Sequence, residues 1–483
     1  MKQAHNPYLP SFEYVPDAEP RIFEDRIYIY GSHDKFNGAS FCLNDYVTYS
    51  APLNDLSNRR YEGIIYKKTS DPHYKNNPFN LTNVFFAPDV IKGKDGKYYM
   101  YYTLGFNGII GVAVSDAPNK EFKYLGDVKY KDGSILGSKK EPLQFDPGIF
   151  IDDNGKIYLY TGYAPLKGNP FLNGFKKMTK EGAMVMELED DMITIKSPIN
   201  YICKTRANSK GTDFYGHEFF EASSMRKIGG KYYFIYSSFV NHELCYAVSD
   251  YPDRDFKYGG VLVSLCDAGI STTRVNNTGN THGSILTLGD DHYIFYHRQT
   301  NRNSFSRQAC AEKLTFKDGK FLQSEVTSQG LSGAPLSALG YYPSYVACNL
   351  YSTKGTLFYS VNKNRSKYYA YFTQDGKDRD GGEDMYIKKF SKYTICGFKY
   401  FDFEGETNLI DVQVRGHARG NMIVSTDMNF KNVVAMIGIN HTKDIKTYSS
   451  TFEKISGTYP LYFKFDGVGK FDFIGFELKT KTN

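Results

Sequence analysis

Tryptophan is absent from this chain of 483 residues, although it carries 42 Tyr and 36 Phe. Any aromatic platform for a ligand must therefore be built from Tyr or Phe. Cysteine is sparse: Cys42, Cys203, Cys245, Cys266, Cys310, Cys348 and Cys396 are odd in number and dispersed, with no C-x-x-C and no zinc-ligand spacing. That argues against a disulfide framework and for buried free thiols in a reducing compartment. No apolar run approaches the roughly 18 residues of a membrane-spanning helix. The opening MKQAHNPYLPSF also lacks the apolar core of a signal peptide. The expectation is a cytoplasmic protein, or a secreted one if a signal has been removed. Blocks of like charge are missing too: 59 Lys and Arg are interspersed with 53 Asp and Glu, for a formal charge of +6. No basic stripe exists for nucleic acid, and no segment reads as a membrane anchor.

What the chain does have is a repeat. Five segments pair a turn with an alternating Tyr-rich strand: Glu24–Tyr30, Lys94–Tyr101, Asp153–Tyr160, Gly229–Tyr236 and Gly289–Tyr296. Asp-Gly, Asn-Gly and Gly-Gly supply the positive φ that tight hairpins need. Tyr and β-branched residues fit a half-buried pleated surface. The anchor residues Tyr28, Tyr99, Tyr158, Tyr233 and Tyr293 are 71, 59, 75 and 60 residues apart, room for one four-stranded blade each time. The pattern predicts an all-β fold, a five-bladed β-propeller over residues 1–335.

Counting back 10 to 12 positions from each anchor reaches Asp17, Asp89, Asp146, Glu221 and His282. Each stands at the head of its hairpin's first strand. In a propeller these strands line the central channel and run the same way, so four carboxylates and a histidine are expected at one mouth. A single Asp near a turn is usually a cap. Titratable groups at one offset in five repeats need another explanation. Crowded carboxylates push one pKa up while a better-solvated neighbour stays ionised, which suits general acid and base work on a glycosidic bond. Acids from different blades lie across the channel with room for water between them, which favours inversion.

These residues resemble glycoside hydrolase family 43. The likeness is carried by Val15–Phe23, Arg26–Asp34, Phe86-Ala-Pro-Asp89-Val90, Phe145-Asp146-Pro-Gly148, Phe219-Phe220-Glu221-Ala222, His282-Gly-Ser284 and Tyr296-His297-Arg298-Gln299, in family order from about residue 7 to 335. The resemblance implies Asp17 as general base, Asp146 as the residue that tunes and orients the acid, and Glu221 as general acid. It implies that His282 holds a channel cation, often calcium, through water. His33, Asp34 and Arg298 match positions that face the sugar. Phe86 replaces a usual Trp, and Asp89 joins it as a substrate-binding candidate. No cofactor is required for the chemistry. Two departures leave rivals: Glu19 for the base, because Pro follows it rather than Asp17, and Glu218 for the acid, three residues before Glu221.

Beyond residue 335 the repeat stops. Segments such as Gly355–Ser360, Tyr368–Phe372 and Leu461–Phe465 read as short strands between polar turns, predicting a β-sandwich accessory domain over 336–483. Its ending, Tyr462–Phe473, is similar to carbohydrate-binding module family 6. The acid-rich turn 375–384 lacks the EF-hand spacing and reads as a solvated loop. Nothing in the sequence specifies an oligomer. The expected function is an inverting exo-hydrolase that releases terminal α-L-arabinofuranosyl or β-D-xylosyl groups from plant-derived oligosaccharides. The alternatives are an endo-acting arabinanase or xylanase, for which the inserts 165–180 and 206–217 look too much like pocket walls, and a non-catalytic carbohydrate-binding propeller.

Overall fold

A computed structural model describes residues 4–75, 83–138, 141–165, 177–358, 366–379 and 385–481. Its regular structure is almost wholly β, with only three short 3-10 turns among the described residues. Four consecutive four-stranded antiparallel sheets form the first four blades. Their first strands are Glu19–Phe23, Asp89–Lys92, Gly148–Ile151 and Phe219–Ile228. In each sheet the strands follow chain order, so the first strand is an edge, and these edges pack on one another around the channel. The anchor tyrosines lie on the second strands, where Tyr28, Tyr99, Tyr158, Tyr233 and Tyr293 are buried.

The fifth blade has only three strands of its own, Ile285–Leu288, Asp291–Gln299 and Arg307–Leu314. The start of the chain supplies the missing edge. Tyr8 N–H donates to the Ala309 carbonyl (3.2 Å), and Asn6 N–H donates to that of Ser328 (3.1 Å). The Asn6 side chain also exchanges hydrogen bonds with the Ala311 backbone at 2.9 Å in both directions. Inside the channel, Ala18 bridges Gly283 in parallel register, joining blade one to blade five. A β-carbon at Gly283 would sit 1.8 Å from the Phe295 carbonyl oxygen, so only glycine permits that approach.

The C-terminal segment forms a ten-stranded sheet that starts at Leu336–Ser337 and folds on itself around a Phe-rich core containing Phe398, Phe401, Phe463, Phe473 and Phe476. Two long strands, Leu409–Ser425 and Ser456–Lys479, run through both layers. Across this pair Gly469 (φ 91°) opposes Ala418, and a β-carbon there would lie 2.0 Å from the His417 carbonyl oxygen. Of the expected short strands, Tyr371–Thr373 forms, Leu461–Phe465 lies inside Ser456–Lys479, and in Gly355–Ser360 Phe358 makes an isolated bridge to Thr278 while residues 359 and 360 lie outside the described residues. Most of the 165–180 insert, and the acid-rich turn from residue 380 on, lie outside the described residues.

Candidate active site

Asp17 and Asp146 occupy left-handed backbone conformations (φ 59° and 46°), as does Ala222 (φ 68°) beside Glu221. Such conformations are costly for residues with a β-carbon and persist where the surroundings over-determine them. Glu221 sits between two register shifts in its pairing with the Lys231–Ser238 strand, and this bulge re-aims its side chain. All three carboxylates are nearly buried: Asp17 is 4%, Asp146 5% and Glu221 8% exposed.

Asp17 is surrounded by donors. Its Oδ1 accepts from Arg307 Nη1 at 2.8 Å and lies 3.2 Å from His297 Nδ1; Ser32 Oγ donates to Oδ2. Burial alone would raise its pKa, but Arg307 and then His297 outweigh burial and hold the carboxyl well below its usual range. Arg307 is itself locked in place. Asp34 accepts from its Nε (2.8 Å), Nη2 (3.0 Å) and backbone N–H (3.0 Å).

Glu221 has the opposite environment. Burial first, then the carboxylates of Asp146 and Asp17, push its pKa well above the ordinary value, and His282 and Arg307 offset this only in part. Its nearest ion-pair partner is His242, whose Nδ1 lies 3.9 Å from Oε1. That imidazole is a weak base, because burial lowers its pKa to about 3. Asp146 stands between the two. Burial raises its pKa, opposed by His282, whose Nδ1 is 3.3 Å from Oδ2. Burial disfavours the His282 imidazolium, yet Asp146 more than compensates and raises its pKa to about 9.

An aromatic arc runs from blade two to blade four beside these acids. Phe86 packs on Phe145 (4.7 Å), Phe145 on Tyr163 (5.1 Å), Tyr163 on Phe220 (5.4 Å) and Phe220 on His242 (4.4 Å). Phe145 and Phe220 immediately precede Asp146 and Glu221, so the acids project from an apolar wall of the kind that stacks on a sugar face. The site places a carboxyl group whose pKa is held down and one whose pKa is pushed up on different blades, next to that wall.

The family model for Glycosyl hydrolases family 43 matches residues 5–321. The chain belongs to glycoside hydrolase family 43. A xylosidase/arabinosidase from Thermoclostridium stercorarium is 44% identical over 99% of both chains. Another, from Bacteroides ovatus, is 31% identical over 60% of this chain and 87% of its own. Among solved structures, CoXyl43, a β-xylosidase/α-arabinofuranosidase from a compost metagenome held with xylotriose in a calcium-free form, superposes with a TM-score of 0.53 at 26% identity, covering 67% of this chain and 98% of its own. The protein is a glycoside hydrolase with a carbohydrate substrate.

Of the expected residues, the structure brings Asp17, Asp146, Glu221, His282 and Phe86 together and turns four others to different partners. Asp89 is turned along the channel. It accepts from Arg21 Nε (2.9 Å) and the N–H groups of Val90 (2.8 Å) and Ile149 (2.9 Å), so its lone pairs pin three blades together and none faces a sugar. Asp34 likewise spends its oxygens on Arg307 and the Cys42 N–H (2.8 Å). His33 is buried between the Asp45 carbonyl (2.8 Å) and Arg379 Nη1 (3.1 Å), a residue of the C-terminal sheet region. Arg298 faces away. It donates to the Ala347 carbonyl (2.9 Å) and Gln308, and lies 4.1 Å over the Phe372 ring, at the junction with the C-terminal sheet.

The rivals are separated as well. Glu19 lies within the channel against Arg226 (2.8 Å) and Ser224 (3.1 Å). Glu218 pairs with Arg206 (2.8 Å) and Ser209 (3.1 Å). Burial tends to raise its pKa, but these and backbone hydrogen bonds lower it, which suits no general acid. Around His282 the described residues offer one ring nitrogen, turned to Asp146, above a channel that holds Arg21 and Arg226; calcium, which takes six to eight oxygens, would have to be held there largely through water. Arg307, His297, Ser32 and His242 were not anticipated. Strand alternation offered a signal for one of them, because His297 shares a face with Phe295, which packs on blade one, while Arg298 shares one with Ile294 and Tyr296.

Proposed function

We propose that this family-43 hydrolase acts by inversion at the non-reducing end of short xylan- or arabinan-derived oligosaccharides, releasing β-D-xylosyl or α-L-arabinofuranosyl groups. Asp17 is the general base, Glu221 the general acid, and Asp146 with His282 tunes the acid. The observation that carries this reading is the opposed environment of the two carboxylates. Asp17 is held ionised by Arg307, and Glu221, where burial and the neighbouring carboxylates outweigh His282 and Arg307, is held protonated. In the reaction Glu221 gives its proton to the leaving oxygen while Asp17 removes one from the attacking water on the other face of the sugar. Asp146 disfavours a second negative charge beside it and so keeps the proton on Glu221 until the bond breaks. The names of the relatives support the two sugars, and the near-complete burial of Asp17, Asp146 and Glu221 favours exo-action.

The C-terminal sheet acts as a structural support rather than a sugar-binding module, since its loop at 374–379 holds the rim of blade one: Tyr14 Oη donates to Gln374 (2.7 Å) and Phe36 N–H to Asp378 (2.7 Å). A reducing location suits seven buried free thiols. Calcium is not needed: adding it to the purified enzyme leaves kcat and Tm unchanged, whereas a rise in either would restore the channel ion.

The deciding experiment compares wild type with Glu221→Gln on xylobiose and arabinobiose and on the matching 4-nitrophenyl glycosides, following product stereochemistry by NMR. The variant loses at least about 10²-fold in kcat on the disaccharides and less on the activated aryl glycosides, whose leaving groups need little protonation. Initial product of the opposite anomeric configuration supports inversion. Retained configuration, or equal losses on both substrate types, would overturn these assignments.

A further inference from the structure

A second cluster, outside the active site, lies on blade four. His217, Glu243 and Cys245 each offer a donor atom, and the three atoms lie within 4.8 Å of one another. His217 precedes the first strand of the blade. Glu243 and Cys245 stand at the start of its third, Leu244–Ser249. The imidazole presents a buried Nδ1 with no hydrogen-bond partner, 3.9 Å from Glu243 Oε2. A buried ring nitrogen left without a partner beside a carboxylate beyond hydrogen-bond distance is a costly arrangement unless something bridges the two.

Their orientation is set by the surroundings. Tyr258 stacks on the His217 ring at 4.6 Å and 11°, and Tyr236 Oη donates to the His217 carbonyl at 2.7 Å. Ser264 Oγ (3.2 Å) and Asn241 Nδ2 (3.4 Å) both donate to Glu243 Oε1, leaving Oε2 turned to the imidazole. Outer partners of this kind orient the ligands of a metal site. Donors around a tetrahedral zinc stand about 3.5 Å apart, at bonds of roughly 2.0–2.3 Å, so small side-chain rotations close the set.

We propose that His217 Nδ1, Glu243 and the Cys245 thiolate bind one zinc ion, with water or the Tyr258 hydroxyl as fourth ligand. Nitrogen, carboxylate and thiolate together suit a borderline-soft divalent ion rather than calcium or magnesium. One carboxylate and one thiolate cancel the ion's two charges, which a buried position demands; the thiol proton is released to solvent on binding. The ion ties the entry of the first strand to the start of the third. Those are the segments from which Glu221 and His242 project, because Phe239 N–H donates to the Glu218 carbonyl (2.7 Å) and Ser238 N–H to that of Glu243 (2.8 Å).

The test uses the untagged full-length protein, stripped with EDTA, desalted and titrated with Co²⁺ as a spectroscopic probe, then with Zn²⁺. A thiolate-to-cobalt charge-transfer band saturating at one equivalent, discharged by zinc, is expected, together with a zinc-dependent rise in Tm. Cys245→Ser and His217→Gln lose the band and the rise; the second replaces a side chain that is 35% exposed, so it folds even if the first does not. No saturable band in the wild type overturns the proposal. So does a band that survives in the folded His217→Gln variant, which would assign it to another thiol.

Discussion

Asp17 and Glu221 are the same functional group in two electrostatic settings, and Arg307 makes the difference. Of the two it touches Asp17 alone, through a 2.8 Å contact, and Asp34 anchors it from behind. Arg307→Met removes the cation that opposes burial, so the Asp17 pKa rises and the acidic limb of the kcat/KM profile moves to higher pH. The rate at pH 6 falls by about 10²–10⁴-fold, within the range of a lost general base. A pH–rate profile separates this from misfolding, which lowers the plateau without moving the limb. For Glu221 the sign is reversed. Its folded pKa lies above its unfolded value near 4.3, so the proton it retains favours the fold in acid, and that contribution is lost as pH rises toward the folded pKa. Glu221→Gln removes the penalty. It should be more stable than the wild type at pH 8 by about 1–3 kcal/mol and show a smaller gain at pH 4, as measured by urea denaturation at the two pH values.

Strand alternation decides which neighbours in a motif reach the site. Within Asp291–Gln299, His297 turns to blade one and Arg298 to the junction with the C-terminal sheet. Arg298→Gln therefore lowers Tm while leaving kcat within about twofold, and a large loss of kcat with unchanged Tm would return it to the sugar site. This also marks how far the sequence could be read. The turn-plus-Tyr strands mark the blades, and a constant offset reaches Asp17, Asp146, Glu221 and His282, because the period of the fold is written in neighbouring residues. Asp34 and Asp89 face Arg307 and Arg21, and a carboxylate in a motif does not announce its cation. Arg307 contacts Asp17 from 290 positions away, and no local pattern carries that pairing. The three-stranded last blade escaped notice for the same reason, since its missing edge comes from the other end of the chain.

At the scale of the molecule, propeller and C-terminal sheet are joined by a buried charge cluster. Lys399 Nζ lies 3.0 Å from Asp267 and 2.8 Å from Glu325. Lys399→Met strands the buried Asp267 carboxylate and should cost about 3–5 kcal/mol, read from urea denaturation; the double variant with Asp267→Asn recovers much of it. The ring itself closes through Asn6 and Tyr8, whose partners lie at Ala309 and Ser328. A ribosome adding about 5–20 residues per second takes on the order of tens of seconds to travel from the first of these to the last. During that interval the nascent chain is an open arc with a bare strand edge at each end, and either edge can pair with another chain. Slower synthesis lengthens that exposure and shelter by a chaperone shortens it, so the yield of active enzyme depends on the pace of translation as well as on the stability of the finished ring.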